Sequence, residues 1–400
     1  MTQPHRTIFV AILGTAALAA LCSGVSSCTK SPQITAPVLS VNQAKRVMFQ
    51  AVKKDNPRLL RRALQMRPDV NQTDESGYTP LLLASRWGNS SCVKLLLNAP
   101  GIDINKAVDD GETPLYKAAA GGHSACVRLL LQAPGIDVNK AENSYGWTPL
   151  TVAAIEGQED CFRRLLRAPD ININKKDLYG VNVLFHSAFN GYRDGVKRLL
   201  SRGIDTSAYD AAVTAIFRND VQELNRRIAD GYNVNTKGIY RMTPLLWAAG
   251  LGREDCVRIL LRAGADASTP GSDSRTPLIR AASYGHEGSV RLLLAAPGIN
   301  PNQTDEDGET PLGHAAYAGH ADCIRRLLSA PDIDVNKVNN MGETPLFLAA
   351  WQGHTDSVRA LLTHPGIDLL RADKNGNTPL QIAETSGNDE CVLLLRNAMK

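Results

Sequence analysis

The tripeptide Thr-Pro-Leu occurs eight times in this 400-residue chain, and neighbouring copies within a run lie 33 to 35 residues apart. The copies begin at Thr79, Thr113, Thr148, Thr243, Thr276, Thr310, Thr344 and Thr378. A unit of this length is a small helical element that cannot bury its own apolar face, so it must stack on its neighbours. The period therefore predicts a solenoid with one continuous core.

The rest of each unit keeps the same register. A glycine follows each threonine after nine residues, as at Gly88 and Gly122, where a short helix is expected to stop in a left-handed turn. A second apolar segment comes next, such as Cys-Val-Lys-Leu-Leu-Leu at residues 92–97, with its apolar residues at helical spacing. Threonine suits the position that caps a helix, and proline suits the first helical position. The pattern predicts a pair of short helices in each unit.

At these residues the chain resembles the ankyrin-repeat family, over residues 44–400. The resemblance implies an all-α ankyrin-repeat solenoid of about eleven helix-pair units, each with a short β-hairpin finger. Two units, at residues 48–71 and 210–235, lack Thr-Pro-Leu and look like starting units with one polar face. We therefore expect two ankyrin-repeat arrays, residues 43–205 and 206–400, that are continuous or bent at their junction.

The first 27 residues are of a different kind. A basic residue, an apolar run from Ile8 to Leu21 and then small residues predict a signal peptide over residues 1–27. The sequence Val25-Ser26-Ser27-Cys28 resembles the bacterial lipobox, which implies that Cys28 is lipidated. Residues 28–42 are then a flexible tether. Plain secretion and a permanent helical anchor remain alternatives, although the apolar run is short for a membrane span. The expected location is the bacterial cell envelope, lipid-anchored to a membrane and facing the periplasm or the exterior.

Charge and motifs narrow the classes of partner. The chain has 44 basic and 40 acidic residues, a balance that predicts neither nucleic-acid binding nor adsorption to a membrane surface, so the membrane link is the N-terminal lipid only. No phosphate-binding glycine loop and no catalytic triad pattern stands outside the repeat. We expect no catalytic residues, no metal, no cofactor and no small-molecule substrate.

Six cysteines occupy one repeat position, thirteen residues after the threonine: Cys92, Cys126, Cys161, Cys256, Cys323 and Cys391. Equivalent positions on stacked helices are expected about 8 to 10 Å apart, which exceeds disulfide reach. We expect buried free thiols, with disulfides and metal binding as the alternatives.

Two other kinds of residue recur at a fixed position in the repeat unit, and we call each set a column. Histidines follow the repeat glycine in four units, where the resemblance implies that they hydrogen-bond backbone between units: His123, His286, His320 and His354. A basic residue recurs on the second helix, where a solvated face is favoured over a phosphate track: Lys94, Arg128, Arg163, Lys197, Arg258, Arg291, Arg325 and Arg359.

The resemblance also implies where a partner would bind, because the family makes contacts through its finger tips and the exposed end of the first helix. The matching slots hold the candidate partner-binding residues Tyr78, Trp87, Tyr145, Trp147, Tyr179, Phe189, Tyr240, Met242, Tyr284, Tyr317 and Trp351. Aromatic residues are only 5% of the chain, yet three of its four tryptophans are in these slots. We expect Trp87, Trp147 and Trp351 to anchor a partner. The alternative is that these aromatics pack between fingers.

The sequence therefore favours a lipid-anchored cell-envelope scaffold that binds a protein partner on its concave face and has no enzymatic activity. Two other classes remain. One is an enzyme or metal protein, and the other is a secreted effector that binds a host protein through the same repeats.

Overall fold

Helices provide all of the regular secondary structure in residues 41–400, the part of the chain that the computed structural model describes. The 22 α-helices are α1 Val41–Lys53, α2 Pro57–Leu64, α3 Pro80–Arg86, α4 Ser90–Leu97, α5 Pro114–Ala120, α6 Ser124–Leu131, α7 Pro149–Ile155, α8 Glu159–Leu166, α9 Val183–Phe189, α10 Arg193–Ser201, α11 Ala211–Arg218, α12 Val221–Ala229, α13 Pro244–Gly250, α14 Glu254–Arg262, α15 Pro277–Ser283, α16 Glu287–Leu294, α17 Pro311–Ala318, α18 Ala321–Leu327, α19 Pro345–Gln352, α20 Thr355–Leu361, α21 Pro379–Thr385 and α22 Asp389–Ala398. A single 3₁₀ turn, Ile239–Arg241, precedes α13. The all-α prediction is confirmed for these residues.

The predicted signal peptide, Cys28 and the tether as far as residue 40 lie outside the described residues. Helix α1 begins at Val41, so residues 41 and 42, which the sequence assigned to the tether, are helical.

Local chemistry sets the helix ends. In α3 the Thr79 hydroxyl accepts a hydrogen bond from Leu82 N at 3.2 Å, and Pro80 follows at the first helical position. All eight Thr-Pro-Leu copies are capped in this way. Gly88 has a φ of +74°, and a Cβ atom there would meet the His123 ring at 2.5 Å. This position therefore needs glycine both for its left-handed turn and for the approach of the next unit.

The helices pair in sequence, and the pairs stack. Odd-numbered helices, here called first helices, pack in the series α1–α3–α5–α7–α9 and α11–α13–α15–α17–α19–α21. Even-numbered helices, here called second helices, pack in the series α2–α4–α6–α8 and α12–α14–α16–α18–α20–α22. Buried residues from both kinds of helix, such as Leu81 and Leu130, form one continuous core. The solenoid is thus observed, while the exact number of repeat units stays a prediction.

The two series meet at a junction where the stacking changes. Helix α10 packs against α11, and α13 packs against both α9 and α11. The unit that contains α11 has no finger of its own, because the chain runs from the turn at Gly203 directly to the helix cap at Asp210. That residues 43–205 and 206–400 are two separate arrays, each able to fold on its own, stays a prediction.

The fingers are tight turns. In the finger before α3, Asp74 N donates to Tyr78 O at 2.9 Å and Gly77 N donates to Asp74 O at 3.1 Å. Equivalent bonds close the finger before α17. Residues 41–400 contain no β-strand, so the predicted β-hairpin form of the fingers is not confirmed.

Side chains link the units along the stack. The four repeat histidines bond backbone oxygens of the preceding unit, as His123 Nε2 does with Arg86 O at 2.9 Å, which confirms their expected role. In the loops, Asn71 Nδ2 donates to Gly101 O at 2.7 Å, and Asp103 N donates to Asn71 Oδ1 at 2.8 Å. Each such link satisfies backbone groups that would otherwise need water.

The six core cysteines are buried and free. Burial raises their thiol pKa values, to about 12 for Cys92 and about 11 for Cys126. The expectation of buried free thiols is confirmed. None of the eight residues of the basic column is buried, and Arg163, Arg258 and Arg325 pair with aspartates one turn earlier, which supports the solvated face.

Candidate protein-binding surface

The predicted partner-binding residues fall into three groups in the structure. One group consists of Tyr78, in the finger before α3, and Trp87, at the C-terminal end of α3. A second group gathers around the junction and includes Tyr145, Trp147, Tyr179, Phe189, Tyr240, Met242 and Tyr284. A third group, near the C-terminal end, is a contact of Tyr317 with Trp351, whose ring centroids are 6.1 Å apart.

Aromatic rings at the junction form a continuous chain of contacts. Tyr145 stacks on Trp147 with ring centroids 4.5 Å apart, and its other neighbour is Tyr179 at 6.4 Å. Tyr179 meets Tyr240 edge to face at 6.2 Å, and Tyr240 in turn contacts Phe185 at 5.2 Å. Offset and edge-to-face pairs at these distances are favourable beyond their buried area. The contact of Tyr179 with Tyr240 joins two fingers that lie on opposite sides of the junction.

The outer end of this chain of rings is exposed. Leu178 and Tyr179 are 69% and 57% exposed at one finger tip, and Ile239 and Tyr240 are 40% and 37% exposed at the other. We call these four residues the junction patch. Exposed apolar residues that lie together, unlike single ones, mark an interaction site.

The sequence analysis missed Leu178 and Ile239. A signal for Leu178 was present, because the equivalent finger positions hold the polar residues Glu75, Asn143, Glu306, Asn340 and Lys374. An apolar residue at a finger tip that is polar in its neighbours is not required by the repeat. Ile239 had no such signal, since its finger departs from the common pattern.

The finger that carries Tyr179 is held rigidly. Asp177 Oδ1 accepts hydrogen bonds from Tyr179 N at 2.9 Å and Val181 N at 3.1 Å. The other carboxylate oxygen, Asp177 Oδ2, is 2.8 Å from Nε2 of the buried His186. Leu178 N also donates to Tyr145 O of the preceding finger at 2.9 Å. The backbone that carries the exposed Tyr179 ring is therefore already ordered, which reduces the conformational entropy that would be lost on binding.

The second finger is strained. Tyr240 and Arg241 have φ values of +54° and +56°, the left-handed region that residues with a Cβ atom disfavour. Each such residue costs on the order of 1 kcal/mol or more. Ser272 N donates to Tyr240 O at 2.9 Å and helps to hold this conformation. The conformation places Tyr240 against Tyr179, so the strain accompanies the formation of the junction patch.

Several predicted residues are not on a free surface. Met242 is only 1% exposed and belongs to the core, so its prediction as a contact residue is corrected. Trp147 packs against the core, and its Nε1 atom is buried without a hydrogen-bond partner. Both residues directly precede a motif threonine. Val181 and Glu309 in the same slot are also buried, whereas Tyr78 and Glu112 are only part-buried. The alternative of packing within the chain therefore holds for Met242 and Trp147.

Other predicted residues have partners within the chain. The Tyr78 hydroxyl accepts a hydrogen bond from Arg86 Nη1 at 3.0 Å. Tyr284 donates its hydroxyl proton to Phe189 O at 3.0 Å. The Phe189 ring is partly buried beneath the Arg280 guanidinium, 4.3 Å from its centroid. Trp87 and Tyr317 remain exposed, and Trp351 is half-buried.

Neither a metal site nor a membrane-spanning helix is indicated in the part of the chain that the structure describes. Over residues 41–400 no group of three or more histidine, cysteine or acidic side chains is arranged to hold a metal ion. None of the helices in this range has the length and apolar character needed to span a bilayer.

Comparison with known families agrees with the geometry. A family model described as ankyrin repeats, three copies, matches residues 48–142, 139–210, 212–305 and 295–373. No curated protein matches the chain significantly.

Proposed function

Because the chain belongs to the ankyrin-repeat family, we propose that it is a non-catalytic scaffold that binds a protein partner through the junction patch and is held at the bacterial cell envelope by a lipid on Cys28. Ankyrin repeats are protein-interaction units, but the fold names no partner. The site must therefore supply the specificity.

The observation that carries the proposal is the exposure of Leu178, Tyr179, Ile239 and Tyr240 together at the junction. Tyrosine is enriched in binding hot spots, since its side chain buries much area and loses little conformational entropy. Their own fold does not need them at these tips, because the repeat elsewhere places polar residues there. We propose that the partner offers a complementary apolar surface. Additional contacts come from Trp87, Tyr317 and Trp351, at the C-terminal ends of the first helices α3, α17 and α19.

The anchoring part of the proposal rests on the sequence Val25-Ser26-Ser27-Cys28 and the apolar run before it. A Cys28→Ala variant should keep its signal peptide or move from the membrane fraction to the soluble fraction. Unchanged size and fractionation would contradict lipidation. A wild-type chain recovered from the culture medium or from host cells would instead favour the secreted effector.

Binding is tested by affinity capture from envelope extract with the full-length chain as bait. The Tyr179→Ser/Tyr240→Ser variant removes the two exposed rings of the junction patch. The matched control, Met341→Ser/Leu370→Ser, removes two exposed apolar side chains from later units. We expect a specific partner with the wild type and the control, and at least tenfold weaker binding with the junction variant. Equal binding by both variants, with both folded by circular dichroism, would contradict the proposed site.

A further inference from the structure

A groove of about 580 Å³ lies at the junction, on a side of the molecule formed by α10, the end of α11 and the start of α14. Its lining consists of Arg193, Asp194, Lys197, Leu200, Phe217, Arg218, Asn219 and Arg253. The groove lies at the break between the two series of second helices, where α10 packs against α11. None of its residues belongs to the junction patch.

The lining carries an excess of positive charge. Arg193, Lys197 and Arg218 are exposed, and within residues 41–400 none of them forms an ion pair. The one acidic residue of the lining, Asp194, is already paired with Arg198 at 2.5 Å. Cations that converge without carboxylate partners repel one another, so an anion bound between them would lower the energy of the cluster.

Arg253 provides a second, independent observation. Its side chain is nearly buried, with 8% of the residue exposed, and its Nη2 atom donates to Phe217 O at 3.1 Å. Its Nε atom is buried and has no hydrogen-bond partner. A buried guanidinium that makes a single hydrogen bond is poorly satisfied, because it has five N–H groups to donate.

The repeat register shows that this arginine is unusual. Other units place a shorter side chain at the same position, immediately before the second helix, to bond the preceding unit: Asn89, His123, Gln158, His286, His320, His354 and Asn388. One hydrogen bond suffices for that task. Arg253 makes the same link and adds a positive charge at the groove.

The electrostatic consequences are visible in neighbouring groups. Burial and repulsion from Arg193 lower the pKa of Arg253. The pKa of His286 falls to about 4, mainly through burial, with Arg193 and Arg253 contributing further. Burial is the larger cause of both shifts, and the smaller Coulombic part reflects the positive charge of Arg193 beside the groove.

We propose that this groove binds the phosphate of an organic phosphomonoester. Arginine and lysine suit a dianionic oxyanion, since they offer several N–H donors and full charge at neutral pH. Leu200 and Phe217 supply an apolar part of the lining, and the volume exceeds that of a bare phosphate, so room remains for the organic portion of the ligand. A soluble ester and a lipid headgroup with a terminal phosphate share this chemistry.

The test uses calorimetric titration of the full-length protein with phenyl phosphate, inorganic phosphate and acetate. The wild type should bind phenyl phosphate saturably, with an affinity that falls as salt rises, and acetate much more weakly. The Arg193→Gln/Lys197→Gln/Arg218→Gln variant should bind at least tenfold more weakly. These three side chains are exposed, so folding should persist, and Lys197→Gln alone gives a milder version that should show a smaller loss.

The matched control is Lys94→Gln/Arg128→Gln/Arg359→Gln, which removes three exposed basic residues of the same repeat column elsewhere and should keep full affinity. Absence of saturable binding of phenyl phosphate by the wild type, equal losses in both triple variants, or acetate binding as tight as phenyl phosphate would each overturn the proposal. Phosphatidylcholine vesicles with and without phosphatidic acid separate the two sources. Binding that requires phosphatidic acid and the groove cations supports a headgroup ligand, and binding of phenyl phosphate alone supports a soluble ester.

Discussion

Arg280 Nη1 donates a hydrogen bond of 2.9 Å to Phe189 O, although the two residues are 91 positions apart in the chain. Tyr284 makes a second such link, since its hydroxyl donates to the same Phe189 O at 3.0 Å. The other side-chain hydrogen bonds between units join residues in adjacent repeats, as His123 does with Arg86. The link from Arg280 passes over the unit of α11. Arg280 is 1% exposed, and its Nη2 atom also donates to Asp273 at 2.8 Å. The end of α9 is therefore tied directly to α15.

We expect Arg280→Met to destabilise the full chain strongly. The variant removes the bond to Phe189 O, the contact with the Phe189 ring and the closer of the two arginine partners of Asp273. Loss of one partner of a buried ionic group costs about 3 to 5 kcal/mol. Lys117→Met is the control, because Lys117 has the same place in its helix but pairs with Glu112 of its own unit. Urea denaturation measures both variants, and equal costs would contradict a special role for the junction.

A fragment of residues 206–400 should fold alone. Helix α11 packs against α13 in the manner of a first unit, and stability in such arrays is a sum of local terms. Because the fragment lacks Phe189, Arg280→Met should cost it less than it costs the full chain. Thermal melting of the fragment, with and without Arg280→Met, tests both expectations. Aggregation of the fragment, alongside a soluble fragment that begins at residue 178, would show that α11 cannot serve as an end unit.

The sequence predicted the parts of the fold that repeat. Thr79 and its equivalents cap helices, and Gly88 turns left-handed, because each is determined by bonds within a few residues. The packing of α13 against α9 could not be predicted, since it arises where a unit lacks a finger and no register remains to follow.

The surface was predicted less well than the fold. The resemblance identified Tyr179 and Tyr240 by position, and the structure shows both exposed. It also selected Met242 and Trp147, because a position in the repeat unit does not say whether the side chain points to solvent or to the core. Burial at a finger base depends on the neighbouring finger, and only coordinates show that neighbour.

The tryptophans should therefore differ in their effect on stability. Trp147→Ala should cost about 2 kcal/mol or more, since the ring packs on Tyr145, His186 and the core. Trp87→Ala should cost less than about 1 kcal/mol, because Trp87 is exposed at the end of α3. Leu130→Ala is the core control, at about 2 to 5 kcal/mol. Chemical denaturation that ranks Trp87 with Leu130 would contradict this assignment.

The six core thiols should be unreactive in the folded protein. Thiolate is the reactive form, and burial raises the pKa of each, to about 12 for Cys323 and about 11 for Cys256. Alkylation at pH 8 followed by mass spectrometry of the peptides should find these six cysteines unmodified in the native state and modified after denaturation. Native alkylation at rates like those of an exposed thiol would show that the core cysteines are accessible, and disulfides between core peptides would show that they are oxidised.

Glu309 is a buried carboxyl group in the finger before α17. It accepts hydrogen bonds from Asn339 Nδ2 at 2.9 Å and Thr310 N at 3.1 Å. Gly313 makes room for it, because a Cβ atom there would overlap Glu309 Oε1. The pKa of Glu309 is raised to about 7, mainly by burial and also by the nearby carboxylates of Asp305 and Glu343, against the lowering effect of these hydrogen bonds.

This raised pKa predicts how the stability of the protein depends on pH. The folded state holds the Glu309 proton more tightly than the unfolded state, so the free energy of unfolding should fall as pH rises from about 4.5 to about 7. Glu309→Gln cannot ionise and should escape this loss. Relative to the wild type, the variant should gain about 2 to 3 kcal/mol between pH 5 and pH 8. Glu306→Gln, on the exposed tip of the same finger, should show no such gain. Urea denaturation measures the free energy of unfolding of both proteins. If the wild type and Glu309→Gln differed by the same amount at pH 5 and at pH 8, Glu309 would already be ionised in the folded protein at pH 5.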